Sequence, residues 1–209
     1  MAKLNFKYAT MNSGKTLDLI RTAHNYEENG YNVLLLKPAI DTKGKTYIES
    51  RVGLKRQVDY LIEKNDNIID KVSSNLKDIT CIFVDEVQFL SEKQIDELFL
   101  ISKVFDIDVI CYGLRLNFMM EAFEGSQRLL EIAEELEELK TICKCGNIAR
   151  YVGRKVNGNY VLKGDEIVID GTDNVEYIPL CGDCYLKDVK KIDYVKVKRL
   201  VKQWKTIEY

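Results

Sequence analysis

The stretch Ala9-Thr-Met-Asn-Ser-Gly-Lys-Thr16 constrains this chain more than any other. It follows an alternating segment, Lys3-Leu-Asn-Phe-Lys-Tyr8, and opens a helical pattern that begins near Leu17. Apart from Ala9 in place of a first glycine, it is the phosphate-binding pattern G-x-x-x-x-G-K-[ST], which needs a strand before it and a helix after it. Successive backbone N–H groups around Ser13 and Gly14 can cup phosphate oxygens, and the helix start adds partial positive charge. Lys15 would reach the β- and γ-phosphates of a nucleoside triphosphate, and the Thr16 hydroxyl would hold Mg²⁺. Ala9 fits only if its position does not demand a glycine-only backbone conformation.

The rest of the chain supplies the setting. Residues 14–29 read as a helix with Leu17, Ile20 and Ala23 on one face, and Gly30 follows as a C-cap. Val33-Leu-Leu-Leu36, Cys81-Ile-Phe-Val84 and Val109-Ile-Cys-Tyr112 are short apolar runs, as strands buried on both faces should be, with Cys81 and Cys111 as buried thiols. Ser91 and Gln94 form a capping box before a helix carrying Ile95, Leu98 and Phe99. A further helix is predicted from Ser126, with Leu129, Ile132, Ala133 and Leu136 inward. Polar, glycine-punctuated residues 39–57 read as a long mobile loop, and loops of that length inside compact domains are usually functional or disordered. Strands alternating with helices imply an α/β fold, a parallel sheet covered on both sides with ligands at the carboxyl ends of its strands.

Asp85-Glu86 closes the second apolar run. There the aspartate would join the magnesium shell, and Glu86 would lie near the γ-phosphate as a general base for water or for a substrate hydroxyl. Cys143-Lys-Cys145 and Cys181-Gly-Asp-Cys184 are paired-thiol knuckles. Four thiolates suit a tetrahedral, structural Zn²⁺. The alternatives are disulfides, which a reducing compartment disfavours, or unligated thiols. Zinc would pin the roots of the 148–180 excursion, so that it can close over a small substrate.

At 209 residues the chain suits one medium domain with an appendage. Composition changes at Thr141, so the expected organisation is a nucleotide-binding domain at 1–140, a zinc-binding domain at 141–192 and a tail at 193–209. Net charge of −2 gives no global attraction to nucleic acid. No run approaches a membrane span, and the amino terminus lacks a secretory pattern, so a cytoplasmic location is expected. The basic segment 190–205 alternates charge with Val195, Val197, Leu200, Val201 and Trp204, and is expected to pack on the body or on a neighbouring subunit. His24, the single histidine, has no partner suggested by spacing and is expected to be structural or at the surface.

Taken in order, the phosphate loop, Val84-Asp-Glu-Val-Gln-Phe89, Cys111-Tyr-Gly-Leu-Arg115, Leu139-Lys-Thr-Ile-Cys143 and the Cys181–Cys184 knuckle resemble the zinc-containing thymidine kinases of bacteria, the type that includes the vertebrate cytosolic enzyme. The likeness runs from Leu4 to Tyr185. It implies a P-loop (RecA-like) parallel sheet flanked by helices, with a small zinc-ribbon or lasso domain. It also implies transfer of the ATP γ-phosphate to the 5′-hydroxyl of thymidine or deoxyuridine. Homotetramers inhibited by thymidine triphosphate, acting without nucleic acid or membrane, are the family habit.

Carried over, the resemblance assigns donor binding to Ala9, Thr10, Met11, Asn12, Ser13, Gly14, Lys15 and Thr16, with Asp41, Lys43, Asp85 and Gln88 beside them. Lys15 and Glu86 would be catalytic, and Met11 matches a position that touches the nucleoside. Phe89, Phe118 and Phe123 would wall the nucleoside, and Tyr177 with the lasso residues Glu166, Ile167, Val168, Ile169 and Asp170 would hold the base. The family's Asp-x-Arg appears here as Asp41-Thr-Lys43; lysine lacks the planar bidentate contact, and Arg51 is the alternative. Its Gly-Gly lasso step appears as Asp170-Gly171, with about two extra residues before Tyr177. A nucleic-acid-dependent ATPase with a zinc ribbon is the competing reading, and predicts a basic or aromatic platform on that ribbon. A regulatory nucleotide-binding module without turnover is the third; the presence of both Lys15 and Glu86 argues against it.

Overall fold

Each continuous apolar run becomes a strand of one sheet. The computed structural model describes residues 1–41, 46–164 and 174–205, so Lys43 and the lasso residues Glu166, Ile167, Val168, Ile169 and Asp170 lie outside the described part. The strands are β1 (Leu4–Ala9), β2 (Val33–Pro38), a hairpin of β3 (Tyr47–Glu49) and β4 (Lys55–Gln57), β5 (Tyr60–Ile62), β6 (Cys81–Val84), β7 (Asp108–Leu114) and β8 (Glu135–Leu139). Outside the hairpin they form a six-stranded sheet in the order β5-β2-β6-β7-β1-β8. Every pairing in it is parallel.

Strand alternation divides the core. Leu34, Leu36, Ile82, Val84 and Val109 face helices α3 (Glu92–Val104) and α4 (Glu124–Ile132), the last two introduced after α1 (Lys15–Glu28) and the short α2 (Ile68–Val72). Leu35, Phe83, Ile110 and Tyr112 face α1 through Leu19 and Ala23. Both faces are thus covered, as a parallel sheet requires. The capping box at Ser91 and Gln94 forms in full.

Two local expectations differ from the structure. Residues 39–57 are not one long loop, because β3 and β4 pair antiparallel around a turn at 50–54. Ile48 in β3 is 1% exposed and anchors that hairpin to the α1 side of the core. Leu136 belongs to no helix: α4 ends at Ile132, and Leu136 stands half-exposed on the edge strand β8. β8 forms there because β1 offers it a full row of parallel partners from Asn5 to Ala9.

Beyond Thr141 the chain builds a second, smaller unit from β9 (Thr141–Ile142), β10 (Ile148–Ala149), β11 (Tyr151–Val156), β12 (Asn159–Val161) and β13 (Val175–Leu180). β9 and β10 pair as one hairpin, and β12-β11-β13 form an antiparallel sheet. Its own core gathers Cys143, Ala149, Leu180, Cys181, Tyr185 and Val189. A final helix, Tyr194–Lys205, follows, with Val195, Val197 and Leu200 exposed. Among the described residues no helix is long and apolar enough to cross a membrane. His24 is exposed on α1, 3.4 Å from the Glu28 carboxylate.

Candidate active site

The loop after β1 has the geometry its sequence demands. Ala9 is still a strand residue, in register with Leu114 on one side and Leu139 on the other. Its φ is not positive, so a glycine is unnecessary there. Left-handed backbone falls instead at Asn12 (φ 65°) and Gly14 (φ 83°), which turn the chain into α1. Lys15 is buried, and its ammonium donates to the Thr10 carbonyl at 3.2 Å. The same carbonyl accepts from the Ser13 hydroxyl at 3.0 Å. The Thr16 hydroxyl donates to Asp85 Oδ2 at 3.2 Å, joining the loop to the end of β6.

Asp85 continues the β6 ladder through its N–H to the Leu36 carbonyl (3.0 Å), and its side chain is almost wholly buried. Burial, reinforced by the neighbouring Glu86 charge and opposed by the Lys15 ammonium, pushes its carboxyl up to about 7. Glu86 takes a left-handed conformation (φ 48°, ψ 37°) and opens the tight turn Val87–Phe89. That turn lifts the Glu86 carboxylate towards the phosphate loop. Gln88 fixes it, donating from Nε2 to Glu86 Oε2 at 2.6 Å while its Oε1 accepts the Leu114 N–H at 3.0 Å. The turn can sit so close to α4 only because residue 125 has no side chain. A Cβ there would lie 2.6 Å from the Val87 carbonyl oxygen and 2.7 Å from that of Leu90.

One cavity of about 260 Å³ gathers Met11, Asn12, Lys15, Thr16 and Glu86. The β3–β4 turn adds Arg51 to its wall. Asp41 stands apart from it, paired with the buried Lys37 ammonium at 2.9 Å. Phe89 and Phe123 meet edge-on, with centroids 5.8 Å apart, and line a separate cavity of about 560 Å³ together with Gln88. Phe118 is not in that group. It is 1% exposed and lies under the guanidinium of Arg154, whose Cζ is 3.7 Å from the ring centroid. Tyr177, half-buried on β13, pairs in register with Arg154 on β11.

The four cysteines of the second unit converge, all their Sγ atoms lying within 4.8 Å of one another. A tetrahedron of thiolates about 2.3 Å from a metal has edges of about 3.8 Å. The Sγ atoms of Cys145 and Cys181 stand 3.5 Å apart, which agrees with such a cluster and is far beyond a disulfide bond. The thiols share protons unequally. A backbone N–H from Asn147 and the Cys181 thiol draw Cys145 down to about 7, whereas the bond with Cys145 pushes Cys184 up to about 12. An all-sulfur tetrahedral donor set of this kind fits Zn²⁺.

Two residues at the junction of the units carry no motif. The Tyr185 hydroxyl, one residue past the last cysteine, donates to the Phe118 carbonyl at 2.6 Å in a buried bond. Arg154 covers the same residue's ring and donates to the Lys163 carbonyl at 3.2 Å. The signal available in the sequence for Arg154 was a charge at an alternating position of Tyr151-Val-Gly-Arg-Lys-Val156, too weak by itself to mark a site.

The family described as thymidine kinase matches residues 2–185. The chain is 41% identical over 189 residues to a thymidine kinase of Streptococcus gordonii, covering 90% of this chain and 97% of that one. It is 42% identical over 185 residues to a thymidine kinase of Mannheimia succiniciproducens, covering 87% and 93% respectively. A thymidine kinase of Enterobacteria phage T4 is 41% identical over 195 residues, covering 92% of this chain and 100% of its own. Among solved structures the chain overlaps a replication initiator DnaA bound to AMPPCP and single-stranded DNA with a TM-score of 0.42 and 20% identity. That overlap takes in 66% of this chain and 40% of the other, and is too loose to support a conclusion.

Proposed function

The chain belongs to the thymidine kinase family, and from that premise we propose that it transfers the γ-phosphoryl group of ATP to the 5′-hydroxyl of thymidine or deoxyuridine. The observation that carries the reading at the level of residues is one small cavity shared by the phosphate loop and Glu86. A carboxylate so placed can serve a hydroxyl that approaches the γ-phosphate. As the new O5′–P bond forms, the 5′-hydroxyl proton passes to Glu86, and the bond from phosphorus to the bridging oxygen breaks to release ADP. Lys15 and the N–H groups of residues 12–16 hold the donor phosphates. Arg51, on the cavity wall, is well placed to meet the transferring group, the role for which Lys43 is the alternative. Gln88 keeps the Glu86 carboxylate turned towards the cavity. Phe89 and Phe123 offer apolar walls of the kind a pyrimidine needs.

Thr16 and Asp85 present adjacent oxygen donors, which suits Mg²⁺. When bound, that ion would neutralise phosphate charge. The cysteine cluster holds Zn²⁺ as a structural ion and so fixes both roots of the lasso. Division into 1–140, 141–192 and a tail at 193–209 is supported by the separate cores of the first two parts. In the same reading the enzyme is a cytoplasmic homotetramer, inhibited by thymidine triphosphate and independent of nucleic acid; family resemblance supports these points.

The test is ADP and monophosphate formation with Mg²⁺, adding thymidine, deoxycytidine, deoxyguanosine or single-stranded DNA in turn. Thymidine-dependent formation of thymidine monophosphate is expected. ATP hydrolysis stimulated only by DNA would overturn the assignment.

A further inference from the structure

Arg154 is 4% exposed, in a small antiparallel sheet most of whose residues are buried or half-buried. Taking a guanidinium out of water costs several kcal/mol unless its charge and donors are well served. Three parts of the molecule come together around it. The guanidinium lies over the Phe118 ring, with Cζ 3.7 Å from the centroid, well inside the usual limit of about 6 Å for a cation over an aromatic face. Nη2 donates to the Lys163 carbonyl, where the chain leaves β12 for the lasso. Across the β11–β13 ladder Arg154 stands directly opposite Tyr177, on the strand that returns from the lasso. Cross-strand partners of this kind share one face of the sheet.

The surroundings accommodate this placement from two further sides. Gly164 has φ 133°, and a Cβ built on it would overlap the Arg154 guanidinium. Residue 164 therefore has to be glycine if Arg154 is to hold the Lys163 carbonyl. Phe118, for its part, is gripped twice by the second unit: Arg154 lies on its ring, and the Tyr185 hydroxyl binds its carbonyl at 2.6 Å. Tyr185 directly follows the knuckle cysteine Cys184. Phe118 itself belongs to the 115–123 segment of the first unit, which leads from β7 to α4.

We propose that Arg154 is a positioning residue for the nucleoside site, setting Phe118, Tyr177 and the 163–164 root of the lasso in one fixed relation. The proposal rests on the reading of the enzyme as a nucleoside kinase. It requires the planar, delocalised cation. A lysine at 154 would carry the charge, but it could neither stack flat on Phe118 nor keep the forked donor at Lys163. The ATP phosphates meet the phosphate loop, which takes part in none of these contacts, so loss of Arg154 should be felt by one substrate and not by the other.

The experiment compares wild type, Arg154→Lys and Arg154→Met, measuring KM for thymidine, KM for ATP, kcat and zinc content. A KM for thymidine raised about tenfold in both variants is expected, the size of a lost cation–π contact of roughly 1.4 kcal/mol. KM for ATP should stay within about twofold, and zinc content should match wild type. Restoration of wild-type behaviour by lysine would overturn the proposal, because charge alone would then suffice. A parallel rise of both KM values with zinc retained would also overturn it, as would an unchanged KM for thymidine. Gly164→Ala keeps the arginine and displaces it, so it gives the same selective loss if Arg154 acts through position, and it answers the question should the Arg154 variants fail to fold. Wild-type protein inert towards thymidine would instead sink the kinase reading, a result separable from any behaviour of the variants.

Discussion

Substituting Gly125 by alanine adds a single methyl group at the closest approach between α4 and the turn that carries Glu86. That methyl would stand 2.6 Å from the Val87 carbonyl oxygen and 2.7 Å from that of Leu90, against an ordinary contact that begins at about 3.4 Å. The two elements must therefore part by about 0.7–0.8 Å, taking the difference between these distances. The Val87 oxygen is not free to rotate away, since it accepts the Leu90 N–H at 3.0 Å in a turn also closed by Phe89 N–H to Glu86 O (3.1 Å). Overpacking of this kind costs about 1–3 kcal/mol. Alanine returns part of that through its better helix propensity, by less than about 1 kcal/mol in a first turn. The net expectation is a loss of about 1–2 kcal/mol, read as a lower urea midpoint at unchanged slope. Activity should suffer more than stability. Displacing a reacting group by about 1 Å costs on the order of 100-fold, so kcat should drop by about 10- to 100-fold while KM for ATP holds. Thymidine-dependent ADP release, measured beside the urea titration, checks both numbers. A variant with kcat within twofold of wild type and an unmoved midpoint would refute the argument that this contact holds the turn in place.

Further outcomes are expected elsewhere. Glu86→Gln keeps shape and hydrogen-bonding capacity but removes the base, so turnover should fall by about 10²- to 10⁴-fold with nucleotide binding nearly intact; full activity would sink the general-base role. Stripping zinc with a chelator, or changing Cys181→Ser, should weaken thymidine binding more than ATP binding by loosening both lasso roots. Equal loss of the two without global unfolding would assign the cluster another purpose. Ser91→Ala removes the oxygen that accepts the Gln94 N–H at 3.3 Å, and about 1 kcal/mol of stability with it, while leaving kcat alone; an unaltered urea midpoint would contradict the capping argument.

Whatever depended on near neighbours in the chain was legible beforehand. The phosphate loop, the Ser91–Gln94 box and the cysteine knuckles are motifs in which spacing along the chain is itself the geometry, and the parallel sheet followed from its apolar runs. Elements decided by distant partners were not. Glu135-Leu-Glu-Glu-Leu139 has apolar positions that suit a helix as well as a strand, and poor strand formers between them. It becomes β8 because the edge of β1 lies open beside it. The β3–β4 hairpin hides behind polar residues, with Ile48 as its single fully buried side chain. Phe118 could be singled out by resemblance, but nothing local announces that Arg154, thirty-six residues on, lies over its ring. Nor does any pattern say why residue 125 is a glycine, since the reason is a carbonyl some forty positions earlier.

The placement of β1 also governs the order in which the molecule can be made. β2 finds β6 early, Val33 pairing with Cys81. Strand β1, earliest of the sheet in chain order, has partners only at Val109 and Glu135 and beyond. It waits, unpaired, through more than half of synthesis, and contacts so far apart in the chain are slow to close. The phosphate loop at its end takes shape only when β7 and then β8 arrive, so nucleotide can stabilise the finished sheet but cannot template its beginning. Last of all, β8 seals the edge with Glu135, Glu137 and Glu138, ion-paired to Lys3, Lys7 and Arg150, and charged side chains on an edge strand discourage another strand from adding there.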